Sequence, residues 1–312
     1  MSRMCVLDAG PLLAVLSACT SAGKEAVPAG ETGHDTAPVA VAWVEVSLSS
    51  LIACGLSSTG KIRCWGDRVQ GGNNEAPTEG RYIELAEGRY HGCALDEVGE
   101  AICWGLQGKG AYFDDGQADP PAGPFHGLAA GLWQTCALDE DEALVCWGDG
   151  PGDWRPPKGQ WSQVSVGADF ACAVQRDGSL ACWGDVGMNP PPDGNTFTQV
   201  AVGDNHACAL SDDDTATCWS RNHQDTPRIS GAPHFLSLSS GVGTSCGITT
   251  DHGVSCWGTD TNAVLALKQP ATSNWDKVSV GADVACGVVE DGSMQCWGAD
   301  PGGLFIIPAP PE

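Results

Sequence analysis

A chain of 312 residues with 42% hydrophobic side chains can bury a core, which excludes a wholly disordered protein. The formal net charge of −24 argues against nucleic-acid binding, which needs clustered Lys and Arg, and favours solubility and cationic partners. The 42 glycines and 20 prolines, with short Val- and Leu-bearing segments between turns, predict an all-β fold.

The N-terminus has the pattern of an export signal. Arg3 precedes an apolar stretch that ends in Leu-Ser-Ala-Cys at residues 16–19. This tetrapeptide resembles the bacterial lipobox, which implies a lipoprotein signal peptide over residues 1–18 and a lipid on Cys19. Residues 19–37 are small and polar and are expected to form a flexible tether. The alternative is a cytosolic tail with a chance match, but a cysteine-rich remainder favours an oxidising compartment. The lipid would then be the membrane attachment, since no later segment is long and apolar enough to span a bilayer.

The rest of the chain, residues 38–312, repeats one motif seven times. Each repeat contains a C-x9-C pair followed by tryptophan, with a period of 36 to 43 residues. Self-similarity at this period is typical of solenoids and propellers. The pairs are Cys54 and Cys64, Cys93 and Cys103, Cys136 and Cys146, Cys172 and Cys182, Cys208 and Cys218, Cys246 and Cys256, and Cys286 and Cys296.

Each repeat predicts a strand, a tight bend and a hairpin. An aromatic residue stands eleven places before the first cysteine, Val or Leu eight places before it, and glycine five places before it, with Ser49 in the first repeat. In the fourth repeat, Arg176-Asp177-Gly178 suits a three-residue turn whose last residue has positive φ. Glu142, Asp214 and His252 stand where the other repeats have this glycine, so their turns are expected to differ.

Symmetry about that turn places Cys172 opposite Cys182 at a non-hydrogen-bonded pair, within reach of a disulfide. Zinc sites usually have cysteines two to four residues apart, and redox catalysis favours C-x-x-C, so both alternatives are weaker than seven cross-strand disulfides. Seven units that close into a ring leave no exposed ends. The C-terminal Leu304–Pro308 is expected to be a strand that completes the blade begun near Trp43.

The pattern G-x4-C-A-[LV]…D-G-x-[LV]-x-C-W-G resembles the regulator of chromosome condensation repeat. The resemblance covers residues 38–312 and implies a seven-bladed β-propeller. The short repeats are closest in style to compact bacterial members such as the secreted β-lactamase-inhibitor propellers. The best-known activity of the family, guanine-nucleotide exchange on a nuclear GTPase, is not carried over, because fold alone does not assign function. The resemblance implies a scaffold that presents loops to a protein partner.

The connections between repeats vary, and loops on a rigid scaffold are the usual place for recognition. We therefore expect a monomeric, non-enzymatic protein-binding propeller of the cell envelope, without a metal or other cofactor. The alternative is a small-ligand or glycan-binding, lectin-like or enzymatic propeller. His91 and His206, each two places before a first cysteine, are expected to be hydrogen-bonded edge residues. The candidate partner-binding residues, aromatic groups beside charges, are Tyr112, Phe113, Asp114, Asp115, Trp154 and Arg155.

Overall fold

A computed structural model describes residues 40–49, 52–66, 76–105, 115–149, 155–184, 191–194, 196–220, 226, 229–231, 233–258, 269–299 and 304–312. The predicted signal peptide, Cys19 and the tether lie outside these residues. The described part of the chain contains no helix that is long and apolar enough to cross a membrane.

Seven three-stranded antiparallel sheets, the blades, follow one another along the chain, as the repeats predict. Each blade is a meander of an inner, a middle and an outer strand. In chain order the strands are β1 (Trp43–Leu48), β2 (Ile52–Ser57), β3 (Ile62–Gly66), β4 (Tyr82–Glu87), β5 (His91–Asp96), β6 (Ala101–Gly105), β7 (His126–Ala130), β8 (Thr135–Leu138), β9 (Leu144–Trp147), β10 (Trp161–Val166), β11 (Phe170–Gln175), β12 (Leu180–Gly184), β13 (Phe197–Val202), β14 (His206–Ser211), β15 (Ala216–Ser220), β16 (Phe235–Ser240), β17 (Thr244–Thr249), β18 (Val254–Gly258), β19 (Trp275–Val280), β20 (Val284–Val289) and β21 (Met294–Gly298).

One disulfide joins the middle and outer strands of every blade. Cys172 lies directly opposite Cys182 in the register of β11 and β12, and Val174 lies opposite Leu180. The Cα atoms of the two cysteines are 4.0 Å apart, which is the close approach of a non-hydrogen-bonded pair.

The other six disulfides repeat this arrangement with Cα separations of 4.0 to 4.1 Å. They join Cys54 to Cys64, Cys93 to Cys103, Cys136 to Cys146, Cys208 to Cys218, Cys246 to Cys256, and Cys286 to Cys296. The prediction of seven hairpin disulfides, one in each blade, is therefore confirmed.

The hairpin turns are more uniform than the sequence predicts. The backbone of Gly178 has φ of 83°, as expected for the last residue of a three-residue turn. The expectation that Glu142, Asp214 and His252 form different turns is wrong, because they have φ of 62°, 64° and 60° in the same position. The carbonyl of this residue accepts a hydrogen bond from the aromatic residue that begins the next blade, as from Phe197 N to Gly178 O at 2.9 Å. The geometry is therefore kept even where the residue is not glycine.

The hydrophobic core lies between neighbouring blades. In one cluster, Trp161 and Trp183 of the fourth blade pack against Cys136 and Leu138 of the third. Related clusters fill the other junctions, including the one between the seventh and first blades. Each disulfide thus packs against the aromatic residues of the following blade. The burial of one blade therefore depends on its neighbour, as expected of repeat proteins.

The glycines five places before the first cysteine form a ring around the axis, which we call the glycine ring: Gly88, Gly131, Gly167, Gly203, Gly241 and Gly281, with Ser49 in the first blade. A methyl group on any of these glycines would overlap the carbonyl oxygen of the equivalent residue in the next blade. Backbone hydrogen bonds link the same positions, such as Arg89 N to Gly131 O at 3.1 Å and Leu132 N to Gly167 O at 3.2 Å. Close backbone approach, rather than positive φ, explains these glycines.

The ring closes between the seventh and first blades. Trp43 N donates a hydrogen bond of 3.0 Å to Gly292 O, which repeats the link between other neighbours. The C-terminal residues 304–312 lie against the first blade, where Leu304 is fully buried and accepts a hydrogen bond of 2.9 Å from Trp65 Nε1. Arg63 donates another, of 3.1 Å, to Ala309 O. The expected location of this segment is correct, but the expected strand is wrong, because these bonds come from side chains and residues 304–312 contain no strand.

We expect Gly167→Ala to lower the free energy of unfolding by at least about 2 kcal/mol, because two blades must separate to relieve an overlap with backbone. Denaturant unfolding of the oxidised protein measures this change. Gly253→Ala is the matched control, since the new methyl group would contact only the side-chain oxygens of Thr249 and Asp251. Equal stability of the two variants would contradict the role given to the glycine ring.

Candidate interaction surface

The two ends of the ring differ in chemistry. We call the end with the hairpin turns the turn face, and the end with the bends that follow the inner strands the glycine face. The exposed carboxylates of the turns are Glu97, Glu140, Asp141, Asp177, Asp212, Asp213, Asp214, Asp251, Glu290 and Asp291. The turn face is therefore strongly acidic, with Arg176 and His252 as basic residues in the same turns.

The acidity of the turn face has a local structural cause. Asp177 Oδ1 accepts hydrogen bonds from the backbone N–H of Ser179 at 2.9 Å and from its hydroxyl at 2.7 Å. These bonds lower the pKa of the Asp177 carboxyl below its ordinary value. Asp213 and Asp291 accept equivalent bonds in their own turns. Turn formation alone accounts for these aspartates, so they need no binding role.

The glycine face instead presents aromatic and apolar groups in the second and third blades. Tyr90 and Trp133, both half-buried, stand three places before the first cysteine, next to exposed Arg89 and half-buried Leu132. The Arg89 guanidinium lies 5.9 Å from the centre of the Tyr90 ring. The equivalent residues of the other five repeats are Leu51, Asp169, Asn205, Gly243 and Asp283, so four of the five are polar or glycine and none is aromatic. The propeller therefore does not require aromatic residues at this position.

The connection between the second and third blades reaches the same surface. Gln117 is fully buried, and its carbonyl accepts a hydrogen bond of 3.0 Å from Thr135 Oγ1, two residues after Trp133. Asp115, a predicted partner-binding residue, is exposed. Its backbone N–H donates a hydrogen bond of 2.7 Å to Gln117 Oε1. The structure thus brings Asp115 close to the segment that carries Trp133. We call Arg89, Tyr90, Leu132, Trp133 and Asp115 the aromatic patch.

The other predicted partner-binding residues are distributed differently. Tyr112, Phe113, Asp114 and Trp154 lie outside the described residues. Arg155 is exposed in the connection between β9 and β10, one blade further around the ring. Sequence reasoning missed Tyr90 and Trp133, although an alignment of the seven repeats shows that the equivalent residues are polar or glycine in four repeats and Leu51 in the first.

The axis of the ring contains a small cavity at the glycine face. Its volume is about 90 Å³, and Glu87, Arg89 and Asp204 contribute ionisable side chains to a wall that is otherwise mostly apolar or glycine. Burial raises the pKa of the Asp204 carboxyl, while Arg89 opposes this change. Ligand pockets are usually of about 300 to 1,000 Å³. This opening is too small for a sugar or a drug-sized ligand.

The inner strands line a polar channel of about 320 Å³ between the two ends. Side chains of one blade satisfy the free N–H groups of the next, as when Ser165 Oγ accepts from Val202 N at 3.0 Å and Gln163 Oε1 accepts from Val200 N at 2.9 Å. Burial and, to a lesser extent, the Glu84 carboxylate raise the pKa of Glu45 in this channel to about 8. The polar side chains of the channel thus act as hydrogen-bond acceptors for the free backbone N–H groups at the strand edges.

The two repeat histidines are buried between blades, so the expectation of an edge position is wrong, although both are hydrogen-bonded. His91 Nε2 lies 2.6 Å from Thr135 Oγ1, and His206 Nε2 lies 2.7 Å from Ser245 Oγ. Both histidines are 0% exposed, and burial lowers the pKa of His91 to about 3 and that of His206 to about 4. Each therefore remains neutral and structural near pH 7.

Glu87 is a buried acid in the wall between the first two blades. Its carboxyl oxygens have no hydrogen-bond partner within the described part of the chain, and burial raises its pKa well above the ordinary value. One carboxyl oxygen and the sulfurs of Cys54 and Cys64 all lie within 4.8 Å of one another. This spacing would suit a metal, but both sulfurs are joined in a disulfide and are not free thiolates.

Comparisons with known proteins agree with this architecture. Residues 197–224, in the fifth repeat, match the family model of the regulator of chromosome condensation (RCC1) repeat, as the sequence predicts. The fold is similar to the ectodomain of the receptor kinase CR4 from Physcomitrella patens, with a TM-score of 0.67 and 24% identity over 83% of this chain and 74% of that one. It is also similar to the CRINKLY ectodomain of the receptor kinase ACR4 from Arabidopsis thaliana, with a TM-score of 0.66 and 24% identity over 83% and 96%.

A third similar structure is Prp20p from Saccharomyces cerevisiae, with a TM-score of 0.64 and 16% identity over 77% of this chain and 80% of that one. It was studied for its binding to Gsp1p and histones. No curated protein sequence matches this chain. At these identities the similar structures show a shared fold.

The buried histidines predict that the propeller loses stability in acid. Because the folded-state pKa of His206 lies below the unfolded value of about 6.5, its stabilising contribution is complete above pH 6.5 and falls by about 1.4 kcal/mol per pH unit below it. We expect the double variant His206→Phe, Ser245→Ala, which copies Phe170 and Ala207 of the neighbouring junction, to lose about 2 kcal/mol less than wild type between pH 6.5 and 5. Denaturant unfolding at both pH values measures this difference, and equal losses would show that folding does not lower the pKa of His206.

Proposed function

We propose that this seven-bladed propeller of the regulator of chromosome condensation repeat family is a non-enzymatic scaffold that binds a protein partner through its aromatic patch. The propeller is exported and attached to a bacterial membrane by a lipid on Cys19. The fold itself supports a protein-binding scaffold, and the similar yeast propeller was studied for its binding to proteins.

One observation carries the choice of surface. Tyr90 and Trp133 are the aromatic residues at a repeat position that four of the other five repeats fill with a polar residue or glycine and the first fills with Leu51, so the repeat itself does not require an aromatic ring there. Aromatic and arginine side chains contribute most of the binding energy in protein interfaces, and Arg89 lies beside both the Tyr90 ring and the axial opening. The aspartates of the turn face, in contrast, are explained by their turns. The aromatic patch is therefore the better candidate.

The alternative of a sugar or other small ligand has less support. The cavity on the glycine face is about 90 Å³ and could admit only a few atoms. The larger channel of about 320 Å³ is lined by side chains that already bond the backbone of the next blade. A ligand there would compete with the hydrogen bonds that join the blades. Protein docking at the rim requires no such exchange.

Retention of a partner from the envelope fraction of the source organism tests the surface. We expect the wild-type chain to retain a protein. We expect the double variant Arg89→Glu, Tyr90→Ser to bind that protein about ten-fold more weakly or worse, a loss of about 1.4 kcal/mol of binding free energy. The control is Asp212→Lys, which makes a charge reversal of the same size on the turn face. Equal retention by all three proteins, or equal loss in both variants, would reject the aromatic patch.

The lipid anchor has a separate test. We expect the chain expressed in a bacterium to incorporate labelled palmitate and to sediment with membranes, and we expect Cys19→Ser to do neither. Cys5→Ser is the matched control and should behave as wild type. A soluble, unlabelled wild-type protein would reject the anchor and leave the docking proposal intact.

A further inference from the structure

Glu87 occupies a repeat position at which the other six blades have an uncharged residue. It stands six places before the first cysteine of its repeat, at the end of β4. The equivalent residues are Leu48, Ala130, Val166, Val202, Ser240 and Val280. In the fourth and fifth blades this residue shares a core cluster with a disulfide cysteine of the preceding blade, Val166 with Cys136 and Val202 with Cys172. Glu87 therefore places a carboxyl group against a disulfide where its equivalents are apolar or, in one blade, a serine.

The surroundings of Glu87 are shaped to hold this group. Its cross-strand partner is Gly92, and a methyl group there would overlap Glu87 Oε1. The equivalent residues in other blades are Ala, Ser or Thr, so the missing side chain of Gly92 makes room for the carboxyl. Glu87 is 6% exposed, lines the axial cavity and the channel, and has no hydrogen-bond partner for either carboxyl oxygen among the described residues. A buried polar group without a partner is costly and needs an explanation.

Burial also favours the protonated form of this carboxyl group. It raises the pKa of Glu87 well above its ordinary value, because a charged carboxylate is costly in the core. One of its oxygens lies within 4.8 Å of both sulfurs of the first-blade disulfide, Cys54 and Cys64. A small movement would bring a carboxylic O–H to a sulfur that gains negative charge.

We propose that Cys54–Cys64 is a site of thiol–disulfide exchange, with Glu87 as the proton donor to the leaving sulfur. The co-reactant is a thiol. Its thiolate attacks Cys64 Sγ, a new S–S bond forms, and the Cys54–Cys64 bond breaks. The electron pair passes to Cys54 Sγ, which takes the Glu87 proton and becomes a thiol. Water then returns to Glu87 the proton that the attacking thiol released.

The burial of the two cysteines fixes the direction of attack. Cys64 is partly exposed on the outer strand, whereas Cys54 is 0% exposed. The thiol therefore reaches Cys64, and Cys54 leaves as a thiolate inside the core. A bare thiolate is costly there, and the proton of Glu87 removes its charge. The product is a mixed disulfide on Cys64, and a second thiol can release it as a free cysteine together with the oxidised thiol.

Limited reaction of the intact, oxidised protein with reduced glutathione at pH 7 tests this proposal. Free thiols are alkylated at intervals, and mass spectrometry of peptides locates each opened pair. We expect Cys54–Cys64 to open at least ten-fold faster than each of the other six disulfides, with glutathione on Cys64 and the alkyl group on Cys54. Opening of all seven at one rate, or glutathione on Cys54, would overturn the proposal.

Two variants separate proton donation from loosening of the blade. Glu87→Gln keeps the size of the group but has no acidic proton, and Glu87→Leu copies the residue of the first blade. We expect both variants to slow the opening of Cys54–Cys64 at least ten-fold and to leave the other six rates unchanged. Wild-type rates in Glu87→Gln, or a parallel change at all seven disulfides, would show that Glu87 acts only through packing.

Discussion

Backbone-to-backbone contact at the glycine ring is the constraint from which the rest of the propeller follows. Because each glycine lies against the carbonyl of the equivalent residue in the next blade, the inner strands converge at one end of the axis. This convergence leaves about 90 Å³ at the axis on the glycine face. It also brings the bends after the inner strands together, so residues from different blades, such as Arg89 and Asp204, interact across the opening.

The convergence of the inner strands leaves backbone N–H groups unpaired by other strands, and side chains of neighbouring inner strands accept their hydrogen bonds. An inner strand has a neighbour within its blade on one side only, so its other edge has free N–H groups. Serine and glutamine of the preceding blade supply the acceptors, as Ser47 does for Glu87 N at 2.9 Å and Gln199 does for Leu238 N at 2.8 Å. The channel is therefore polar for structural reasons. The disulfides then hold each hairpin rigid while its faces pack against two neighbours.

The sequence predicts contacts within a blade far better than contacts between blades. The C-x9-C spacing determines the register of Cys172 and Cys182, since a hairpin turn places residues symmetrically around itself. The turns at Glu142, Asp214 and His252 are harder to predict, because the same backbone is kept at residues that accept positive φ at a cost. The link from His206 to Ser245 joins two repeats, and neither residue reveals it alone. Both residues are exceptions in the alignment of the repeats, so pairing the exceptions of neighbouring repeats would have found it.

The same reasoning separates structural from functional residues at the candidate surface. A residue shared by all repeats is accounted for by the blade, as with the buried tryptophans that follow each second cysteine. A residue that departs from its equivalents needs its own explanation. For His91 the explanation is a hydroxyl partner in the next blade, Thr135. Glu87 has no such partner among the described residues, and Tyr90 and Trp133 are aromatic where four of the other five repeats have a polar residue or glycine, so the repeat alone does not account for them. All three lie in the second and third blades, and the disulfide beside Glu87 lies in the first, so both proposals concern neighbouring blades.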